Sequence, residues 1–292
     1  MEDLPGVGKH LQSHPIIDLY YKLDYLAFDP IEEQDYHRYN LDDKRGALSI
    51  VTKFANTFFS ATNDSKVVTT MIEIGFPEER LGKAFPLQVE ELKTRKSHLQ
   101  NRVRYMASKS VGTVTLKSTD PSEDPVVDGQ WLQEPIDRTQ MRNSILQAFS
   151  LFDKPAWKSL GLKFIPFDAP ACKDLLKHGN RSTVYLDCIM KQLVVPENHA
   201  TSSCRMGDTN DPLTVVHPES LKVKGLSNVR IMDSSVIPKT THGSTFAPVV
   251  MVSEKGSDLI KISHGVNTDS PDIPIAPNQY NTRISLNGQL YY

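Results

Sequence analysis

The run from Pro196 to Ile262 most restricts what this chain can build. It opens with "PENHATSSCRMGD", a polar, small-residue segment that sets a histidine, His199, and a cysteine, Cys204, five positions apart. Two short strand candidates follow, "LKVKG" and "NVRIMD", each closed by turn-forming residues. A loop rich in Pro, Thr, His, Gly and Ser, Val236 to Thr245, leads into a last helix. Pro248 falls in the first turn of that helix, where its missing N–H costs nothing, and the pattern continues through "VVMVSEKGSDLIKI".

The residue types of the opening segment allow several chemistries. Zinc would need further ligands at a suitable spacing, and His199 and Cys204 have no C-x-x-C or H-x-x-H companion. His217 belongs to a different segment. A Cys–His nucleophilic pair would need a third, orienting residue and an electropositive, partly exposed thiol, for which Arg205 is the only local support. A base beside a redox cofactor, or an ordinary loop histidine and a packed cysteine, are the other readings.

Upstream, the first fifteen residues are punctuated by Gly and Pro and read as a loop. "GVGKHLQSHP" is not a dinucleotide loop, because Leu11 stands where the third glycine belongs. "KVVTTMIEIGF" reads as a strand, and Leu87 to Met106 as a helix, with charged residues and apolar ones at helical spacings. "SVGTVTLKSTDP" alternates as a half-buried strand and ends in a turn at Asp120-Pro121. Ile136 to Phe152 reads as an amphipathic helix with Met141, Ile145, Leu146 and Phe149 on one face, and Pro155 prevents its continuation. Residues 153–195 mix turns with short helical pieces. Residues 265–292 form a polar tail rich in Asn, Pro and Ser.

In 292 residues there are 33 basic and 35 acidic side chains, a net charge of −2, which gives no electrostatic case for nucleic acid or an anionic membrane. No apolar run reaches the length of a membrane span, and the first ten residues lack a signal-peptide pattern. Three cysteines, Cys172, Cys188 and Cys204, are too few for a disulfide scaffold; at least one stays unpaired, which favours a reduced compartment.

With its neighbours, the C-terminal run resembles the signature of the glucose–methanol–choline (GMC) family of flavin oxidoreductases. The matching pieces, in order, are His199, Cys204-Arg205-Met206-Gly207, Val216-His217-Pro218, Asn228-Val229-Arg230, Asp233-Ser234-Ser235, Pro238, Glu254-Lys255 and Asp258-Leu259-Ile260. "LPGVGKHLQSHP" is similar to the family's Leu-Pro-Gly-Val-Gly-x-Asn-Leu-Gln-Asp-His-Pro segment, with His10 and Ser13 as departures. "SKSVGTVTLKSTDPSEDPVVD" is similar to a strand of its substrate domain. The resemblance covers Leu4 to about Ile262.

The resemblance implies an α+β and α/β architecture. A substrate domain with an antiparallel sheet and helices would span residues 16–197. The C-terminal part of a Rossmann-like FAD domain would span 198–264, and 1–15 would be a further remnant of it. It implies FAD as cofactor and a small-molecule alcohol as substrate, with no nucleic acid or membrane partner. His199 matches the base that takes the hydroxyl proton, and Ser244 falls at the second active-site position, with His242 two residues away as a substitute. Asp233, Ser234, Thr245 and Phe246 match positions lining the flavin. The glycine-rich strand–turn–helix that holds the pyrophosphate precedes the matched region in the family and is absent from this sequence. The chain is therefore expected to be a truncated form or fragment, with two alternatives: one part of a split enzyme completed by an N-terminal FAD-domain chain, or a non-catalytic binding relative.

Overall fold

A computed structural model describes residues 3–23, 53–60, 68–75, 98–167 and 169–266, together with the backbone of a short strand pair near the C-terminus. Its centre is strand β1 (Pro15–Lys22), PIIDLYYK, buried on both faces from Pro15 to Tyr21. With β2 (Lys53–Phe59), β3 (Thr70–Gly75) and β4 (His98–Tyr105) it forms an antiparallel sheet in the order β2-β3-β4-β1. A small hairpin pairs β5 (Thr113–Thr115) with β6 (Val126–Asp128). Helices α1 (Pro135–Phe152) and α2 (Pro155–Lys158) follow, and then β7 (Lys163–Ile165) joins the sheet beside β1. A 3-10 turn (Lys173–His178) leads to helix α3 (Thr183–Leu193), and β8 (Val195–Pro196) pairs with the start of β1. The last helix is α4 (Phe246–Ser263).

Period two separates the faces of this sheet. Ile17, Leu19 and Tyr21 of β1 point to one side with Leu99 and Val103 of β4 and Ile72 and Ile74 of β3, and all are buried. That side holds the main core, where Met141, Ile145 and Phe149 of α1 and Tyr185, Leu186 and Ile189 of α3 join them. A hydrogen bond of 2.6 Å between the Thr70 and Ser144 hydroxyls pins β3 to α1. On the opposite face the register sets Asp18, Arg102 and Glu73 side by side on three neighbouring strands. Arg102 donates from Nε and Nη2 to the Asp18 carboxylate at 2.9 and 3.2 Å. Burying such charges is expensive unless they are paired, and the bidentate geometry meets that demand.

A second, smaller core gathers Val215, Val216, Leu221, Val223, Val236, Ile237 and Val252, with Leu4, Cys204 and Met206 packed against it. Here "LKVKG" and "NVRIMD" make only isolated bridges, Val216 with Val223 and Lys222 with Arg230, in place of the expected strands.

Two further expectations are corrected. Residues 98–105 of the expected 87–106 helix form strand β4, and residues 87–97 lie outside the described residues. The period-two signal was hidden because both faces of β4 are buried: Leu99, Val103 and Tyr105 enter the core, while Arg102 and Arg104 pair with carboxylates. The inference of a reduced compartment also fails, since Cys172 and Cys188 form a disulfide that ties the 3-10 turn to α3. Cys204 remains free.

Candidate active site

The segment from Leu4 to Pro15 is where distant parts of the chain meet. Its glycines serve close backbone approach. A Cβ on Gly6 would lie 2.2 Å from the Leu213 carbonyl oxygen, and one on Gly8, whose φ is +72°, would lie 2.0 Å from that of Val114. Leu11 exchanges backbone hydrogen bonds with Gly112, and Gln12 does so with Thr201. The Gln12 side chain accepts from Thr240 N–H at 3.1 Å, so the loop before α4 is fastened to the same point.

This crossing sets His199 in place. The Glu197 N–H donates to the His14 carbonyl at 2.9 Å, and the Ser13 hydroxyl donates to the Glu197 carbonyl at 2.6 Å. The His199 side chain is 14% exposed. Its Nδ1 lies 2.8 Å from Nδ1 of His14, with the two rings perpendicular. His14 is fully buried, and its other nitrogen, Nε2, lies 2.8 Å from the Thr241 carbonyl oxygen and 3.2 Å from the Thr240 hydroxyl. Among the described residues no hydrogen bond engages Nε2 of His199. Beside the pair, Arg104 grips the Glu197 carboxylate from Nε and Nη2. One Glu197 oxygen is 3.9 Å from His199 Nδ1, within electrostatic reach but too far for a hydrogen bond.

Burial dominates the electrostatics. It pushes His14 down to about 4, and it also lowers His199 from the ordinary histidine range. Burial works against ionisation of Glu197, but the Arg104 hydrogen bonds and charge outweigh it and hold the carboxyl below its usual range. At neutral pH the site therefore consists of two neutral imidazoles beside an ionised Arg–Glu pair. A neutral imidazole with one nitrogen engaged and the other unbonded can accept a proton.

Of the remaining expected positions, His242, Ser244, Thr245 and Phe246 lie at the start of α4, whereas Asp233 and Ser234 follow Met232, which meets the helix further along at Ser253 and Gly256. Thr241, which holds His14, lies next to His242, so the loop carrying His242 and Ser244 is tied to His199 through His14. His242 and Ser244 are themselves exposed, and among the described residues neither is hydrogen-bonded to His199. Asp233 caps its own turn by accepting from Ser235 N–H at 2.8 Å, and the Ser234 carbonyl accepts from Ser202 N–H. Thr245 is buried and Phe246 is 76% exposed.

At the start of helix α4 Thr245 makes no side-chain cap, the Phe246 N–H reaches the Ser244 hydroxyl oxygen at 3.5 Å, and among the described residues a Cβ on Gly243 would touch nothing within 4 Å. Three residues of the site were missed at the sequence level: His14, Glu197 and Arg104. The only available hint was the histidine of the "LPGVGKHLQSHP" segment. Cys204 packs in the second core, and burial raises its thiol, which argues against a nucleophile.

The family model described as GMC oxidoreductase matches residues 108–253. Glucose dehydrogenase [FAD, quinone] of Drosophila pseudoobscura pseudoobscura is 30% identical over 275 residues, covering 92% of this chain and 43% of that protein. An oxygen-dependent choline dehydrogenase of Sinorhizobium medicae is 34% identical over 166 residues, 56% of this chain and 28% of its own. Among solved structures, formate oxidase from Aspergillus oryzae RIB40 superposes with a TM-score of 0.71 at 21% identity, covering 90% of this chain and 48% of that one. The chain thus spans less than half the length of the curated relatives it matches.

Proposed function

This chain belongs to the GMC oxidoreductase family, and from that premise we propose that it supplies the substrate-binding and proton-accepting half of a FAD-dependent enzyme that oxidises a small-molecule alcohol. The observation that carries the reading is His199: a neutral, largely buried imidazole with Nδ1 engaged by His14 and Nε2 unbonded among the described residues. Glucose and choline, named for two relatives, both carry a CH–OH group, and an alcohol of that class is the proposed substrate.

In this reading the substrate hydroxyl hydrogen-bonds to Nε2 of His199, which takes its proton as the carbinol C–H bond breaks. FAD, when bound, supplies the hydride acceptor. The ionised Glu197 near Nδ1 favours the imidazolium that results, and Arg104 keeps that carboxylate ionised and fixed. Ser244 offers a hydroxyl donor toward the substrate oxygen, with His242 an alternative from the same loop. The start of α4, with Thr245 and Phe246, would hold the polar edge of the ring, and Asp233 and Ser234 would border it. The pyrophosphate would be held by a glycine-rich FAD-binding segment, in the same polypeptide or in a second chain.

The test is flavin binding followed by turnover, with this chain joined to or mixed with the FAD-binding half. His199→Ala should retain the flavin absorbance band and lose about 10²–10⁴-fold in turnover. Near-normal turnover in that variant would refute the role given to His199.

A further inference from the structure

We propose that His14 is a positioning residue that fixes the tautomer of His199, holding its proton on Nδ1 so that Nε2 always presents a lone pair. The inference rests on the reading of His199 as the base.

The argument follows the protons along a short chain of contacts. The Thr241 carbonyl oxygen can only accept, and it lies 2.8 Å from Nε2 of His14, so that nitrogen carries a hydrogen and donates it. The Thr240 hydroxyl, 3.2 Å from the same nitrogen, can share that hydrogen as an acceptor. His14 is fully enclosed in a site where Arg104 already supplies a positive charge, and it is neutral at physiological pH. A neutral imidazole has one N–H, so Nδ1 of His14 bears a lone pair. At 2.8 Å from that lone pair, Nδ1 of His199 must be the donor, since two facing lone pairs at this distance would repel. Glu197 does not compete for the hydrogen, because its nearer oxygen is 3.9 Å away. His199 is then neutral with its only lone pair on Nε2.

Isolated histidine side chains favour the opposite tautomer, so this arrangement removes an unproductive population from the base. It also prepares the next state. Once Nε2 takes a proton, the hydrogen bond from Nδ1 to His14 becomes charge-assisted and strengthens. The role parallels that of the orienting carboxylate in a serine-protease triad, filled here by a neutral acceptor.

Long-range proton–nitrogen NMR on the full chain with labelled histidine reads the tautomer directly. His199 should show its hydrogen on Nδ1 at pH 7.5. His14→Asn, whose amide oxygen can stand where Nδ1 was, should preserve that pattern, and His14→Leu should move the hydrogen to Nε2. In the flavin-loaded enzyme, His14→Leu should lower kcat by about 10²-fold or more with KM little changed, and His14→Asn should restore most of it. A native His199 protonated on Nε2 overturns the proposal, as does a His14→Leu chain that keeps the Nδ1 hydrogen. A native Nδ1–H tautomer together with an active His199→Ala enzyme would remove the base and leave the tautomer assignment standing, so the two failures are separable.

Discussion

Arg104 and Glu197, ninety-three residues apart, form a buried bidentate ion pair two positions before His199. Their side chains are 4% and 15% exposed, so each charge depends on the other for its solvation. Arg104 is also 4.0 Å from Glu73, which links it to the Asp18–Arg102 row across the sheet. Arg104→Leu strands Glu197 and should cost about 3–5 kcal/mol in urea unfolding. Pairing it with Glu197→Leu should recover part of that loss, because the buried carboxylate goes too. A double variant no more stable than Arg104→Leu alone would show that the pair is not the unit that matters.

The His14 environment makes stability pH-dependent in a definite direction. In the folded chain His14 titrates near 4, against 6.5 in the unfolded one, so between those values the unfolded chain binds more protons. Stability should therefore rise with pH across that window, be fully present above 6.5 and be lost as pH falls toward 4. The shift corresponds to at most about 3 kcal/mol. Glu197, held below its usual range by Arg104, gives a loss of the same sign at still lower pH. Urea midpoints measured from pH 7.5 down to 4.5 should fall in the native chain, and His14→Asn should flatten much of the slope.

Asp137 is a structural counterpart to these site residues. Fully buried in the first turn of α1, its carboxylate accepts from the Ser108 and Ser110 hydroxyls at 2.8 and 2.6 Å and from the Ser110 N–H at 2.7 Å. It fastens the strand-to-hairpin connection to the positive end of a helix, where an anion is favoured. That connection carries Gly112, which pairs with Leu11 in the site segment. Asp137→Ala leaves several donors without an acceptor and should cost about 3 kcal/mol or more. Asp137→Asn keeps one oxygen and should cost less; equal losses would point to the charge itself.

What the sequence revealed follows from how far each signal reaches. Helix α1 was legible because Met141, Ile145 and Phe149 recur at helical spacing between Pro135 and Pro155, and α4 because Pro248 marks its start. The antiparallel sheet with helices, expected from the resemblance, is present. Strand β4 was not legible, since ion pairs bury the polar alternates that would otherwise have marked a solvent face. The same applies to the site. His199 stood out in a local motif, whereas His14 contacts it across 185 positions and Arg104 reaches Glu197 from another strand. Only the crossing of the Leu4–Pro15 segment with the rest of the chain brings these residues together. Cysteine parity correctly left one thiol over, but it could not identify the pair that the fold of α3 would join.

The Cys172–Cys188 disulfide gives a last test, because it closes a loop of sixteen positions around the 3-10 turn and the start of α3. Cys172 is fully buried against the main core, so the bridge anchors this surface segment to the sheet layer beneath it. Constraining an unfolded loop of this length stabilises the folded state by about 3 kcal/mol. Denatured but unreduced protein should therefore react with one equivalent of a thiol reagent, at Cys204, and with three after reduction. Changing Cys172 and Cys188 together to serine should lower stability by about 3 kcal/mol while leaving the His14–His199 contact intact, since that contact is built from other segments. Three reactive thiols in the unreduced chain would show that the bridge does not form, and the stability loss on substitution should then shrink to that of repacking a buried cysteine.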